Sequence, residues 1–144
     1  MDDPLYPRAL LRLAADAAGA GRLEPADASG SAHNPACGDQ VTVTLRLKGA
    51  RIAALAHDTQ ACILTQASAA ILGAVAPGLD RAALAALEKG VQAMLKDGAP
   101  PPLAPYAAFD GAAALPGRHV CVLLPFQALQ KALEEHRPEK VRSG

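Results

Sequence analysis

The segment from Val41 to Lys48 most narrowly constrains the fold of this chain. Its residues alternate strictly between apolar and polar, as in a strand with one buried face. A short turn over Lys48-Gly49-Ala50-Arg51 follows, and the run from Arg51 to His57 keeps the same period. The pattern predicts an antiparallel hairpin whose apolar face must be covered by other elements.

After the hairpin the apolar period changes to that of helices, about 3.6 residues. One helix is predicted from about Ile63 to Ala76. A second follows Asp80, which is placed as its N-cap, and stops at Asp97-Gly98. Its apolar stripe is the set Leu84, Leu87, Val91, Met94 and Leu95.

The remaining segments complete an α+β pattern. We expect a short N-terminal helix from Pro4 to about Ala20, and a loop over residues 22–36 with one short edge strand. Residues 106–114 are expected to form a helical turn or two. A last helix is predicted from Arg118 to about Glu135, kinked or split at Pro125. The expected fold is a small antiparallel sheet of about three strands, packed against four to five helices.

The length of 144 residues fits one compact domain. We place that domain at residues 1–136 and expect residues 137–144 to be a flexible tail, because they are polar and interrupted by Pro138. The chain contains 34 alanines, a composition that favours helices.

Composition excludes several classes of function. The formal net charge is zero, so the basic surface that phosphate binding requires is not expected. Two Tyr, two Phe and no Trp give little material for stacking nucleic acid bases. No window approaches the roughly 20 apolar residues of a membrane span, and the acidic start does not resemble a secretory signal. We therefore expect a cytoplasmic protein without a nucleic acid or membrane partner.

The three cysteines are an odd number in a chain without a secretory signal. This argues against a disulfide framework and favours a reducing compartment, in which the cysteines are free thiols or metal ligands.

Cys37 and Asp39 form the densest candidate site, because they lie two positions apart around a glycine that allows a sharp turn. A thiolate is a soft ligand and a carboxylate a hard one, and Zn²⁺ or iron accepts this mixture. With Cys62 and Cys121 they would complete a four-ligand site. Cys62 precedes a predicted helix, whose N-terminal dipole favours the thiolate form.

A structural interpretation of the same residues stays open. Three scattered cysteines can be inert core residues, no C-x-x-C pair is present, and Asp39 can be a turn carboxylate. Arg118 lies three residues before Cys121 and either stabilises its thiolate or is a surface residue. The four histidines are expected at the surface or in hydrogen bonds rather than as ligands: His33, His57, His119 and His136.

No other catalytic pattern is present in the sequence. No serine stands in a G-x-S-x-G segment, which a hydrolase of that type requires, and Gly-rich phosphate loops are absent.

Three segments carry cysteines in a recognisable order. They are Asn34-Pro35-Ala36-Cys37-Gly38-Asp39, a helix start at Ala61-Cys62-Ile63-Leu64, and Arg118-His119-Val120-Cys121. Together with the hairpin they resemble the iron–sulfur cluster assembly scaffold family of IscU and the NifU N-terminal domain. The resemblance covers roughly residues 4 to 135.

This resemblance implies an α+β fold in which three cysteines and one aspartate meet at an exposed end. There a cysteine desulfurase delivers sulfur, and a [2Fe-2S] cluster is built and handed to recipient apo-proteins or carrier proteins. By position match the ligands are Cys37, Asp39, Cys62 and Cys121, with Cys37 and Cys121 as candidate sulfur acceptors. In the apo form the same four groups would hold Zn²⁺. A scaffold of this kind is not expected to be an enzyme, although sulfur transfer stays open as an activity.

Details near the last cysteine resemble the SufU branch. Val120 stands where the IscU branch has a ligand histidine, and Cys62 and Cys121 are 59 positions apart, which accommodates an extra segment. The alternative function is therefore a zinc-bound sulfurtransferase that accepts persulfide and activates the desulfurase without holding a cluster. The chaperone motif of IscU is not intact at Leu115-Pro116-Gly117-Arg118, so the resemblance gives no support for a dedicated Hsp70 partner.

Overall fold

Three antiparallel strands form one sheet in the computed structural model, which describes residues 8–16, 19–35, 38–109 and 116–135. Strand β1 is Ala28–Asn34, β2 is Asp39–Lys48 and β3 is Arg51–Gln60. Their order in the sheet is β1-β2-β3, with β2 in the centre. The predicted hairpin is confirmed, and Lys48 pairs with Arg51 across its two-residue turn.

The apolar face of the central strand is buried as predicted, whereas Thr42 and Thr44 on its polar face, which was expected to be open, are buried as well. Val41, Val43 and Leu45 are fully buried on the face that the helices cover. Both hairpin strands extend further than their apolar pattern, because polar residues at their ends, such as Gln40 and Gln60, continue the backbone pairing. This extension makes Asp39 the first residue of β2.

Strand β1 is the edge strand expected within residues 22–36, and it covers seven residues of that segment. Its buried positions are Ala28, Gly30 and Ala32, which have low strand propensity and give no apolar alternation. Their small size is required by a helix that lies directly on the strand. A Cβ at Gly30 would lie 2.4 Å from the backbone nitrogen of Ala132.

Four α-helices and two short 3-10 segments accompany the sheet among the described residues. Helix α1 is Arg8–Asp16, α2 is Ile63–Val75, α3 is Arg81–Asp97 and α4 is His119–Glu135. The 3-10 segments are Ala104–Phe109 and Pro116–Arg118. Helix α4 packs on β1 and β2 and contacts α2 and α3, while α1 packs against α2. The predicted α+β class is confirmed, with this number of strands and helices.

Helix α3 was the best-defined helix of the sequence, and its local signals are confirmed. The Asp80 side chain accepts a hydrogen bond from the backbone of Ala83, and Gly98 ends the helix in the left-handed conformation. The buried residues are those of the predicted stripe. Helix α1 is described over nine residues, and residues 4–7 and 17–18 of its predicted span lie outside the described residues.

Pro125 does not split the last helix, so the predicted split is wrong. Helix α4 runs without interruption from His119 to Glu135. Proline cannot donate to the carbonyl four residues earlier, which here belongs to Cys121. The hydroxyl of Thr65 on α2 donates to that carbonyl instead, over 3.0 Å. A neighbouring helix therefore satisfies the group that the proline leaves without its helical donor.

The three aromatic residues within the described ranges form a buried group. The ring of Tyr106 lies 6.2 Å from that of Phe109 and 6.3 Å from that of Phe126. The predicted tail over residues 137–144 lies outside the described residues. Among the helices of the described ranges, none has the length and apolar character needed to cross a bilayer.

Candidate metal centre

Asp39, Cys62 and Cys121 come together from three elements. Asp39 begins β2, Cys62 is the N-cap of α2, and Cys121 lies in the first turn of α4. One carboxylate oxygen and the two Sγ atoms all lie within 4.8 Å of one another. The sequence predicted that these three residues would share a site, and the fold brings them together.

The turn between β1 and β2 places Asp39. Asn34 pairs with Asp39 across the two strands, and the backbone nitrogen of Gly38 donates to the carbonyl of Asn34 over 2.8 Å. Gly38 has φ of 76°, a left-handed conformation that glycine adopts without strain. The turn also carries Cys37 in the sequence, but Cys37 lies outside the described residues. Its role as a fourth ligand stays a prediction.

Hydrogen bonds hold the Asp39 carboxylate at the start of α2. Oδ1 accepts from the backbone nitrogen of Cys62 over 3.3 Å, and Oδ2 accepts from Thr65 Oγ1 over 3.1 Å. The helix N-terminus carries partial positive charge, so it stabilises a carboxylate at this position. The Cys62 side chain makes no capping hydrogen bond to the backbone, so its sulfur is not needed to begin the helix.

Burial differs among the three donors. Asp39 is 5% exposed and Cys121 is 2% exposed, whereas Cys62 is half-buried. The resemblance implied an exposed end for this site. In the structure only the Cys62 side of the group of three is open to solvent to any extent.

The donor set fits zinc or iron. Two thiols and one carboxylate are ligand types that both metals accept. With Zn–S distances of about 2.3 Å, two sulfurs of a tetrahedral site stand about 3.8 Å apart. The separations here, up to 4.8 Å, need only small side-chain movements to reach that value. Three donors leave one tetrahedral position for a further ligand.

Comparison with known proteins agrees with the fold. The sequence matches the family described as NifU-like N terminal domain over residues 5–137. The chain belongs to this family. The predicted resemblance to the NifU N-terminal domain is therefore confirmed.

Two solved structures show the same fold. A nitrogen-fixing NifU-like protein (N-terminal) from Brucella abortus has 28% sequence identity and a TM-score of 0.85, over 93% of this chain and 95% of that one. A protein from Fervidobacterium islandicum AW-1 has 24% identity and a TM-score of 0.81, over 90% and 96%. That protein is described as a candidate iron–sulfur cluster assembly scaffold protein for the SUF system. No curated protein matches the chain.

The other polar residues that the sequence singled out lie outside the group of three in this NifU-like domain. His57 is buried on β3, where Nδ1 lies 2.9 Å from Thr59 Oγ1, and it lines a cavity of about 170 Å³. His33 is exposed on β1. Arg118 ends the 3-10 segment before α4, and His119 begins α4. The effect of Arg118 on the Cys121 thiolate stays a prediction, and His136 lies outside the described residues.

Sequence reasoning missed Thr65. It is fully buried in the first turn of α2 and contacts Asp39, Cys62 and the Cys121 backbone. The available signal was its position three residues after Cys62, which places both side chains on one face of the helix.

Proposed function

We propose that this protein is a scaffold on which a [2Fe-2S] cluster is assembled. Sulfur comes from a cysteine desulfurase, and the finished cluster passes to recipient apo-proteins or to carrier proteins. The observation that carries the proposal is the meeting of Asp39, Cys62 and Cys121 within 4.8 Å, in a chain that belongs to the NifU-like family. The similarity to a candidate scaffold protein for the SUF system supports it.

Each proposed ligand has a distinct part in this function. Cys37, Cys62 and Cys121 would supply thiolates, which bind iron or zinc firmly. Asp39 would be the fourth and most labile ligand, because a carboxylate leaves such a metal more readily than a thiolate. All ligands must stay reduced, so the proposal places the protein in a reducing compartment such as the cytoplasm.

Anaerobic reconstitution tests the scaffold function. The apo-protein is incubated with ferrous iron, cysteine, a cysteine desulfurase and a dithiol, which reduces the persulfide sulfur to the sulfide of the cluster, and we expect one visible-absorbing cluster per site. The matched variant Cys62→Ser should fold normally by circular dichroism and lose the cluster. A folded wild-type protein that gains no stoichiometric cluster would overturn the proposal.

The second candidate function is that of a zinc-bound persulfide acceptor. The presence of Val120 before Cys121 favours it, and no histidine joins the three donors among the described residues. In the transfer step an acceptor thiolate attacks the outer sulfur of the desulfurase persulfide. A new S–S bond forms and the desulfurase thiolate leaves, so no external electron donor is needed.

Burial distinguishes the candidate sulfur acceptors. Cys121 is 2% exposed, so a persulfide on another protein can reach it only after α4 or its neighbours move. Cys62 is more open, and Cys37 stays a candidate from the sequence alone. Incubation with desulfurase and cysteine should add about 32 Da, one sulfur atom, to one of these cysteines. Absence of this adduct from every cysteine in a mass spectrum would eliminate the second function.

The metal content of the purified protein separates the two functions further. Bound zinc that persists during sulfur transfer favours the persulfide acceptor. Iron and acid-labile sulfide in equal amounts favour the scaffold.

A further inference from the structure

Thr65 occupies the centre of the candidate metal centre, although its hydroxyl is not one of the three donor groups. Its Oγ1 lies 3.1 Å from Asp39 Oδ2, 3.0 Å from the Cys121 carbonyl oxygen and 3.5 Å from Cys62 Sγ. The side chain is fully buried, so water does not take the place of these partners. One hydroxyl therefore contacts all three residues of the group.

We propose that Thr65 is a positioning residue that sets the Asp39 carboxylate and the first turn of α4 in place for metal binding. The inference rests on the proposed function of the site, because it concerns how the same donors are held. It adds a residue with a defined task to the three donors.

The number of hydrogen bonds that a hydroxyl can donate and accept explains how Thr65 can position Asp39. Threonine has one O–H donor and two lone pairs. The single proton has two acceptors within reach, Asp39 Oδ2 and the Cys121 carbonyl. When the carboxylate turns toward a metal, the proton can remain satisfied at the carbonyl. Thr65 can therefore hold Asp39 before metal binding and release it without leaving a buried donor unpaired.

Pro125 explains why the Cys121 carbonyl is available. A residue with an N–H at position 125 would donate to that carbonyl within α4, and proline cannot. A buried helical threonine commonly bonds to the carbonyl four residues earlier in its own helix. Here that residue is Ala61, whose carbonyl accepts from Gln66 Nε2 over 2.7 Å. The Thr65 hydroxyl is directed instead toward β2 and α4.

Zinc affinity of the anaerobic apo-protein tests the proposal. Thr65→Val keeps the shape of the side chain and removes the hydroxyl, and we expect zinc affinity to fall at least tenfold, as for other groups that orient metal ligands. Thr65→Ser keeps the hydroxyl, and we expect its affinity to stay within about threefold of wild type. Competition with a chromophoric chelator gives the affinities. The visible spectrum of the Co²⁺ form should change in Thr65→Val and be restored in Thr65→Ser.

Ser68→Ala is the matched control. Ser68 lies one turn further along α2, is fully buried, and donates to the Val122 carbonyl of α4 without a hydrogen bond to any of the three donors. We expect Ser68→Ala to lose stability but to keep zinc affinity and the Co²⁺ spectrum. Equal zinc affinity in Thr65→Val and wild type would overturn the proposal, as would a folded Thr65→Ser that loses tenfold or more. The Thr65→Ser result decides alone if Thr65→Val does not fold.

The same titration separates this inference from the proposed function. A wild-type protein that binds neither Zn²⁺ nor Co²⁺ would contradict the metal centre itself. A wild-type protein that binds both, but gains no cluster in reconstitution, would contradict the scaffold function and leave the Thr65 comparison intact.

Discussion

The single carboxylate of Asp39 makes hydrogen bonds within the fold and is also a proposed metal ligand. Its two oxygens accept hydrogen bonds from the Cys62 backbone and from Thr65, and these bonds join the start of β2 to the start of α2. An ionised carboxylate has about four lone-pair sites, so a metal can bind without displacing both donors. Changing Asp39 therefore alters stability and metal release together, and the two effects have to be measured separately.

Asp39→Ala should destabilise the apo-protein by about 1–3 kcal/mol, because the part-buried N–H of Cys62 loses its acceptor, while the Thr65 hydroxyl keeps the Cys121 carbonyl. A cluster that has been loaded should persist longer, because the most labile ligand is gone. Urea unfolding measures the first effect, and transfer of the cluster to an apo acceptor protein measures the second. Asp58→Ala is the control, since the contact of Asp58 seen within the described residues is an exposed ion pair with Arg22, and its loss should change stability by less than about 1 kcal/mol. Unchanged transfer kinetics in Asp39→Ala would contradict a labile role.

The buried hydroxyl of Tyr106 contrasts with the hydrogen-bonded carboxylate of Asp39. Its hydroxyl has no hydrogen-bond partner among the described residues, and burial raises the pKa of Tyr106 well above its ordinary value of 10.0. The unfolded chain therefore ionises at this residue first, so wild-type stability should fall as pH rises above about 10.

Tyr106→Phe should be at least as stable as wild type at neutral pH, because it removes an unsatisfied buried group. Its advantage should grow above about pH 10, where only the wild-type unfolded state gains stability from ionising this residue. Urea unfolding at pH 7 and at about pH 10.5 measures both effects. A loss of more than about 1 kcal/mol at both values would show that the hydroxyl has a bonding role.

Between elements, the contact of α4 with β1 depends on the absence of a side chain. A Cβ at Gly30 would lie 2.4 Å from the Ala132 nitrogen and 2.5 Å from the Ala128 carbonyl oxygen. Both are backbone atoms, so Gly30→Ala has to push the helix from the strand and should cost at least about 1–3 kcal/mol. Ser29→Ala, whose side chain is exposed on the same strand, should stay within about 0.5 kcal/mol of wild type. Thermal unfolding of both variants tests this, and equal stabilities would show that α4 does not lie on Gly30.

A double-mutant cycle can measure the energetic coupling between Thr65 on α2 and Pro125 on α4. Pro125→Ala supplies a backbone N–H that can donate to the Cys121 carbonyl. Thr65→Val should therefore destabilise the Pro125→Ala background less than the wild-type background, by about 1 kcal/mol. Ser68→Ala should have the same cost in both backgrounds, because its acceptor is the carbonyl of Val122. Urea unfolding gives the four free energies of unfolding in each cycle. Strictly additive effects of Thr65→Val and Pro125→Ala would contradict the idea that a backbone N–H at position 125 can replace the Thr65 hydroxyl as donor to the Cys121 carbonyl.

The elements that could be predicted from the sequence are those with local signals. The alternation from Val41 to Lys48 and the capped stripe of α3 need no knowledge of distant residues. Strand β1 could not be predicted in full, because its small residues are explained only by the nearness of α4. The continuity of α4 through Pro125 depends on a hydroxyl 56 positions away from Cys121.

The same distinction applies to the candidate site. Asp39, Cys62 and Cys121 were predicted because thiols and carboxylates are recognisable metal ligands in any context. Thr65 was missed because a hydroxyl has no such chemistry of its own. Its task comes from contacts that form only when β2, α2 and α4 meet.

At the scale of the whole molecule, a metal would join elements that are far apart in the sequence. The three described donors belong to β2, α2 and α4, whereas α3 contributes none. A ligand that binds only the native state stabilises it by about 2.7 kcal/mol at a free concentration one hundred times its dissociation constant. Metal binding is therefore expected to raise the free energy of unfolding by stabilising contacts at one end of the sheet.

Removal of the metal should destabilise some elements more than others. A chelator should lower the melting temperature, and added zinc should restore it. Amide hydrogen exchange should rise at residues 39–45, 62–68 and 119–124 more than in α3, Arg81–Asp97. Cys62→Ser, which lacks a ligand, should respond little to the chelator in either measurement. Equal melting temperatures of the wild-type protein with and without zinc, or exchange that rises as much in α3 as at the donors, would show that the metal does not hold these three elements together.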